Sequence, residues 1–67
     1  MSFVGDMLAM AQNCCQENDF QAAESIYRQI LASDPANVDV WCLLGTACHC
    51  QGKAAEAELS LRRGLQL

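Results

Sequence analysis

The chain repeats itself. Laying residues 4–33 over residues 38–67, an offset of 34, gives six identical pairs: Val4/Val38, Cys14/Cys48, Ala23/Ala57, Glu24/Glu58, Arg28/Arg62 and Leu31/Leu65. Apolar character is also kept at Met7/Trp41, Met10/Leu44, Ala11/Gly45 and Tyr27/Leu61. A period of roughly 20–50 residues constrains a fold strongly, because each unit is one supersecondary motif that buries its apolar face on the next. The small residues recur where two helices must approach closely. The two Glu-Arg pairs recur at i, i+4, where opposite charges are neighbours on a helix surface.

Each unit divides at a turn signal. In the first, Met7, Met10, Ala11 and Cys14 form an i, i+3, i+4, i+7 stripe that predicts a helix, and Glu17-Asn18-Asp19 stops it because Asn tolerates the left-handed cap conformation. A second helix is expected from about Phe20 to Ser33 with Ala23, Ile26, Tyr27, Ile30 and Leu31 inward, and Asp34-Pro35 ends it. The second unit follows the same plan: Asn37 is the N-cap, Trp41, Leu44, Gly45 and Cys48 face inward, and Gln51-Gly52 supplies the stop before a last helix over residues 54–67. No sustained alternation marks a strand. The expected fold is therefore all-α, two antiparallel helix-turn-helix hairpins in one domain over residues 1–67, with units at about 4–37 and 38–67 and a core of Trp41, Tyr27, Leu44, Ile26, Ile30 and Leu31.

Charge and hydropathy exclude several classes. Four basic against eight acidic residues give a net charge of −4, the wrong sign for neutralising phosphates, so no nucleic-acid partner is expected. The longest run without a charged or amide side chain is residues 40–48, about half of what a bilayer crossing needs, so no membrane span is expected. No basic residue precedes Arg28, so no secretory signal is visible and a cytoplasmic location is expected. In such a compartment the five cysteines, an odd number, are expected as thiols.

These residues resemble the tetratricopeptide repeat, a 34-residue helix-turn-helix unit. Trp41, Leu44, Gly45, Gly52 and Ala57 in the second unit, and Ala23, Tyr27 and Pro35 in the first, stand at the signature spacing. Ala11 and Asn18 replace the two expected glycines of the first unit, and Gly64 replaces a larger residue, which predicts weaker helix packing there. The resemblance implies a right-handed α-solenoid fragment of slightly fewer than two repeats and a non-catalytic protein-interaction module. Such a fragment is expected to belong to a longer array or to pair with a second copy, because Leu59, Leu65 and Leu67 in the last helix lack a polar cap and form a candidate self-association face. The stretch 23–31 with Asp34-Pro35 and Leu43-Leu44-Gly45 is also similar to N-terminal repeats of bacterial proteins carrying a glycosyltransferase-type domain downstream. That is the alternative reading.

By the same resemblance, the first helix of each unit lines a concave groove for a peptide. Leu8, Gln12, Cys15 and Gln16 would come from the first unit, and Asp39, Cys42, Thr46, His49 and Cys50 from the second. The Lys and Asn positions by which some family members clamp an acidic C-terminus hold Leu8, Gln12 and Leu43 here, so a neutral or basic peptide is expected. Cys48-His49-Cys50 has zinc-ligand chemistry, but successive helical residues point about 100° apart and no CxxC knuckle is present, so no metal is expected. Cys15 with His49 is the one nucleophile-base pair that could be named, and nothing marks an oxyanion hole or phosphate loop beside it. No catalytic residue, cofactor or enzymatic activity is expected.

Overall fold

The computed structural model describes residues 3–66, with side chains from Gly5 to Gln66. Four helices follow in order: α1 (Phe3–Gln16), α2 (Phe20–Ser33), α3 (Val38–Cys50) and α4 (Ala54–Gln66). Each packs on the next in sequence, α1 on α2, α2 on α3 and α3 on α4, and no strand occurs among the described residues. The architecture is the expected all-α helical repeat.

The two hairpin turns are built alike, atom for atom across the 34-residue offset. At the end of α1 the Asn18 N–H donates to the Cys15 carbonyl (3.0 Å) and the Asp19 N–H to the Cys14 carbonyl (2.8 Å). At the end of α3 the Gly52 N–H donates to the His49 carbonyl and the Lys53 N–H to the Cys48 carbonyl, both at 3.0 Å. This double bond pattern needs a left-handed residue at its centre, supplied by Asn18 at φ 63° and Gly52 at φ 77°. Asp19 then caps α2 by accepting from the Ala22 N–H, and Asn37 caps α3 by accepting from the Val40 N–H. Between the hairpins, the Trp41 indole N–H donates to the Pro35 carbonyl at 2.8 Å.

The core holds Tyr27, Ile30, Leu31 and Leu44 as expected, with Val40, Ala47 and Cys48 beside them. Trp41 and Ile26 are only half-buried against it, and Met10, expected inward, is 60% exposed. The cause is the stacking order: α3 has a neighbour on each side and buries a wider arc than a single stripe, whereas α1 packs mainly on α2. Gly64 also differs from expectation. A Cβ there would stand 3.2 Å from the Trp41 Cβ, and one at Gly45 would stand 2.9 Å from the Leu61 Cγ, so both glycines permit the close approach of α4 to α3.

Candidate functional site

The nine groove positions fall on α1 and α3, as their spacing requires. Gln12, Gln16, Asp39, Cys42, Thr46, His49 and Cys50 are exposed, while Leu8 and Cys15 are half-buried and pack against the core. The Cys15 sulfur lies 3.9 Å from the Tyr27 hydroxyl, and burial, together with this neighbouring thiol, pushes the Tyr27 phenol up to about 12. The Thr46 hydroxyl donates back to the Cys42 carbonyl of its own helix at 3.1 Å. Asp39 is the one charged side chain among the nine. The surface is thus made of two amides, an imidazole, thiols and a hydroxyl, chemistry suited to hydrogen bonding rather than to ion pairing.

The cysteines stay apart. All five are free thiols, with Cys48 buried, Cys14 and Cys15 half-buried, and Cys42 and Cys50 exposed. Burial is the largest of the influences that push the Cys48 thiol up from its ordinary range, which makes it a small apolar filler rather than a nucleophile. No group of three His, Cys, Asp or Glu side chains converges among the described residues.

The two Glu-Arg pairs, alike in spacing, differ in surroundings. Glu58–Arg62 is a surface pair, but Glu24 is buried and gathers donors from three places. Arg28 Nε reaches it at 3.0 Å along α2, Gln51 Nε2 at 2.7 Å and Lys53 Nζ at 3.1 Å from the turn after α3. Burial by itself would raise this carboxyl; the bonds from Gln51, Lys53 and Arg28 outweigh it and hold the group at about 2. Arg28 also reaches Glu56 of α4 at 3.5 Å. The network ties the first hairpin to the second, a role that an i, i+4 spacing alone does not announce.

Depressions occur both away from the expected groove and beside it. Three depressions meet at Trp41: one of about 260 Å³ shared with Arg28, Leu31, Ala32 and Leu44, one of about 370 Å³ with Pro35, Arg63 and Gln66, and one of about 140 Å³ with Arg28, Glu56, Leu59 and Ser60. On α1, Ala9, Met10, Gln12, Asn13 and Gln16 line an open hollow of about 420 Å³. The signal for the Trp41 depressions was present in the sequence: a large indole faced by the small residues Ser60 and Gly64. The candidate self-association residues divide. Leu65 is 87% and Leu59 61% exposed, yet six residues apart they point about 120° from each other, and Leu59 borders the Trp41 depressions. Leu67 lies outside the described residues.

Compared with protein families, the chain matches the tetratricopeptide repeat over residues 16–66. The chain belongs to the tetratricopeptide repeat family. The match takes in α2, α3 and α4 and only the last residue of α1, the helix whose unit lacks both signature glycines. No curated protein and no solved structure matched the chain. Tetratricopeptide repeats are protein-interaction modules and are typically non-catalytic, and they generally bind proteins or peptides. No helix among the described residues is long and apolar enough to cross a membrane.

Proposed function

We propose that the chain holds a peptide or an extended segment of a partner protein along the row formed by Gln12 and Gln16 of α1 and Asp39, Cys42, Thr46, His49 and Cys50 of α3, flanked by Leu8 and Cys15. The observation that carries this reading is that seven hydrogen-bonding or polarisable side chains stand exposed on α1 and α3, the two helices that also send Met7, Ala11, Val40, Leu44, Ala47 and Cys48 into the core. Backbone amides and carbonyls of an extended ligand match Gln, His and Thr groups without requiring a charge. Asp39 tilts the preference toward neutral or basic ligands and away from acidic tails.

The test is a titration of the isotope-labelled chain with neutral, basic and acidic peptides, read by amide chemical shifts. Perturbations at residues 12, 16, 42, 46, 49 and 50 with the neutral or basic peptides are expected. Replacing Gln12 and His49 by Lys should weaken a basic peptide about tenfold while circular dichroism stays unchanged. Tighter binding of an acidic peptide, or perturbations confined to other faces, would overturn the assignment.

A further inference from the structure

Every lysine and arginine of the chain lies on α2, on α4 or in the turn that joins α3 to α4. Three of the four are spent on carboxylates: Arg28 and Lys53 each hold Glu24 and Glu56, and Arg62 holds Glu58. Arg63 is exposed and pairs with no carboxylate among the described residues. It borders the depression of about 370 Å³ that Pro35, Trp41 and Gln66 complete. Trp41 also borders the depression of about 260 Å³ where Leu31, Ala32 and Leu44 supply apolar walls. Together they form a trough between α2 and α4 that is apolar at one end and carries an uncommitted guanidinium at the other. Both walls are within the described residues, and Leu65 on the outer side of α4 takes no part in it. The indole N–H is tied to the Pro35 carbonyl, so Trp41 is held in place and offers a ligand its ring rather than its donor.

We propose that this trough docks a short segment of a partner protein that carries an apolar side chain and an acidic one two residues apart, the apolar group against Trp41, Leu31 and Leu44 and the carboxylate on Arg63. In an extended segment residues i and i+2 face the same way about 7 Å apart, which lets the two side chains reach opposite ends of one ring. A guanidinium takes a carboxylate through two parallel N–H donors. Arg28 at the apolar end is already engaged, and Glu56 beside it repels a second carboxylate, so the acidic side chain is directed to Arg63. The trough is separate from the α1–α3 row of the proposed function. On α3, Thr46 of that row is five residues on from Trp41 and points about 140° away from it. The charge preferences of the two sites are opposite, and each stands whether or not the other binds.

The probe is an acetylated and amidated pentapeptide with a phenylalanine and a glutamate two residues apart among glycines, titrated into the isotope-labelled chain. Shifts are expected at the single indole N–H resonance and at the amides of residues 32, 59 and 63, with those of residues 46 and 49 unmoved. Arg63→Glu should weaken binding about tenfold, whereas Arg62→Glu, an equal change of charge at the next residue, should leave it within about twofold. Ala32→Glu should weaken it about fivefold by placing a carboxylate in the apolar half. All three positions are exposed, so urea unfolding should be unchanged in these variants. Lysine in place of the peptide's glutamate, or serine in place of its phenylalanine, should each weaken binding about tenfold or more. No shift of the indole resonance at millimolar peptide, or equal binding by the lysine peptide or by the Arg63→Glu chain, would overturn the proposal. So would a concentration-dependent dimer in sedimentation that Arg63→Glu abolishes, which would give the trough to a second copy instead.

Discussion

Leu31 and Leu65 are the same residue at the same position of a repeat, and their surroundings make them unequal. Leu31 is buried beneath α3 and Leu65 stands in solvent. Leu31→Ala should cost about 2–4 kcal/mol in urea unfolding, because it removes buried methyl groups and leaves a cavity. Leu65→Ala should stay within about 0.5 kcal/mol. Equal losses would mean that α4 is covered in the isolated chain. Two glycines make a parallel contrast. Gly52 sits at φ 77° with nothing near its missing Cβ, so Gly52→Ala should cost about 1–2 kcal/mol from backbone strain alone. At Gly64 helix propensity favours Ala by about 1 kcal/mol, while the 3.2 Å approach to Trp41 opposes it, so Gly64→Ala should come out milder than Gly52→Ala.

Between elements, the Glu24 cluster is the joint that binds one hairpin to the other. Its carboxyl is held at about 2 against an ordinary 4.5. Since the folded value is the lower one, the stabilisation is present above about pH 4.5 and disappears as the pH falls toward 2; the difference corresponds to about 3 kcal/mol. Unfolding free energy measured by urea should therefore fall across that window in the native chain. Glu24→Gln should flatten the fall and lower stability at neutral pH, because Lys53 and Arg28 lose their common anionic partner and one of its two acceptor oxygens becomes an amide donor. An unchanged slope in the variant would assign the acid sensitivity to other carboxylates. The sequence could not separate Glu24–Arg28 from Glu58–Arg62, since both share one spacing. Only the arrival of Gln51 and Lys53 from the following unit distinguishes them. Turn positions and helix limits were legible because Asn18, Asp34-Pro35, Asn37 and Gly52 act locally. The exposure of Met10 and the burial of Val40 and Ala47 were not, because they depend on how many neighbours a helix has.

For the molecule as a whole, the packing is a line rather than a ball. α2 and α3 each pack extensively on a helix on both sides, whereas α1 packs mainly on α2 and α4 mainly on α3. In stacked repeats stability is a sum of unit and neighbour contributions, so the inner pair should open least often. Native-state hydrogen exchange should accordingly show slower exchange for the core amides of α2 and α3 than for those of α1 and α4. Uniform protection across the four helices would indicate a single cooperative unit. The candidate row itself was readable as positions on two helices. Its chemistry was less so, because the demand of Tyr27 on Cys15 and the internal bond of Thr46 follow from packing.

Trp41 is the sole indole of the chain, tethered through its N–H to the Pro35 carbonyl and bordered by Arg28 of α2 and by Leu59, Ser60 and Arg63 of α4. The molecule thus carries an intrinsic fluorophore at the seam where its two hairpins meet. Emission wavelength and quenching at that one ring give a label-free optical gauge of whether the seam is shut, strained or opened when anything lands on either side of it.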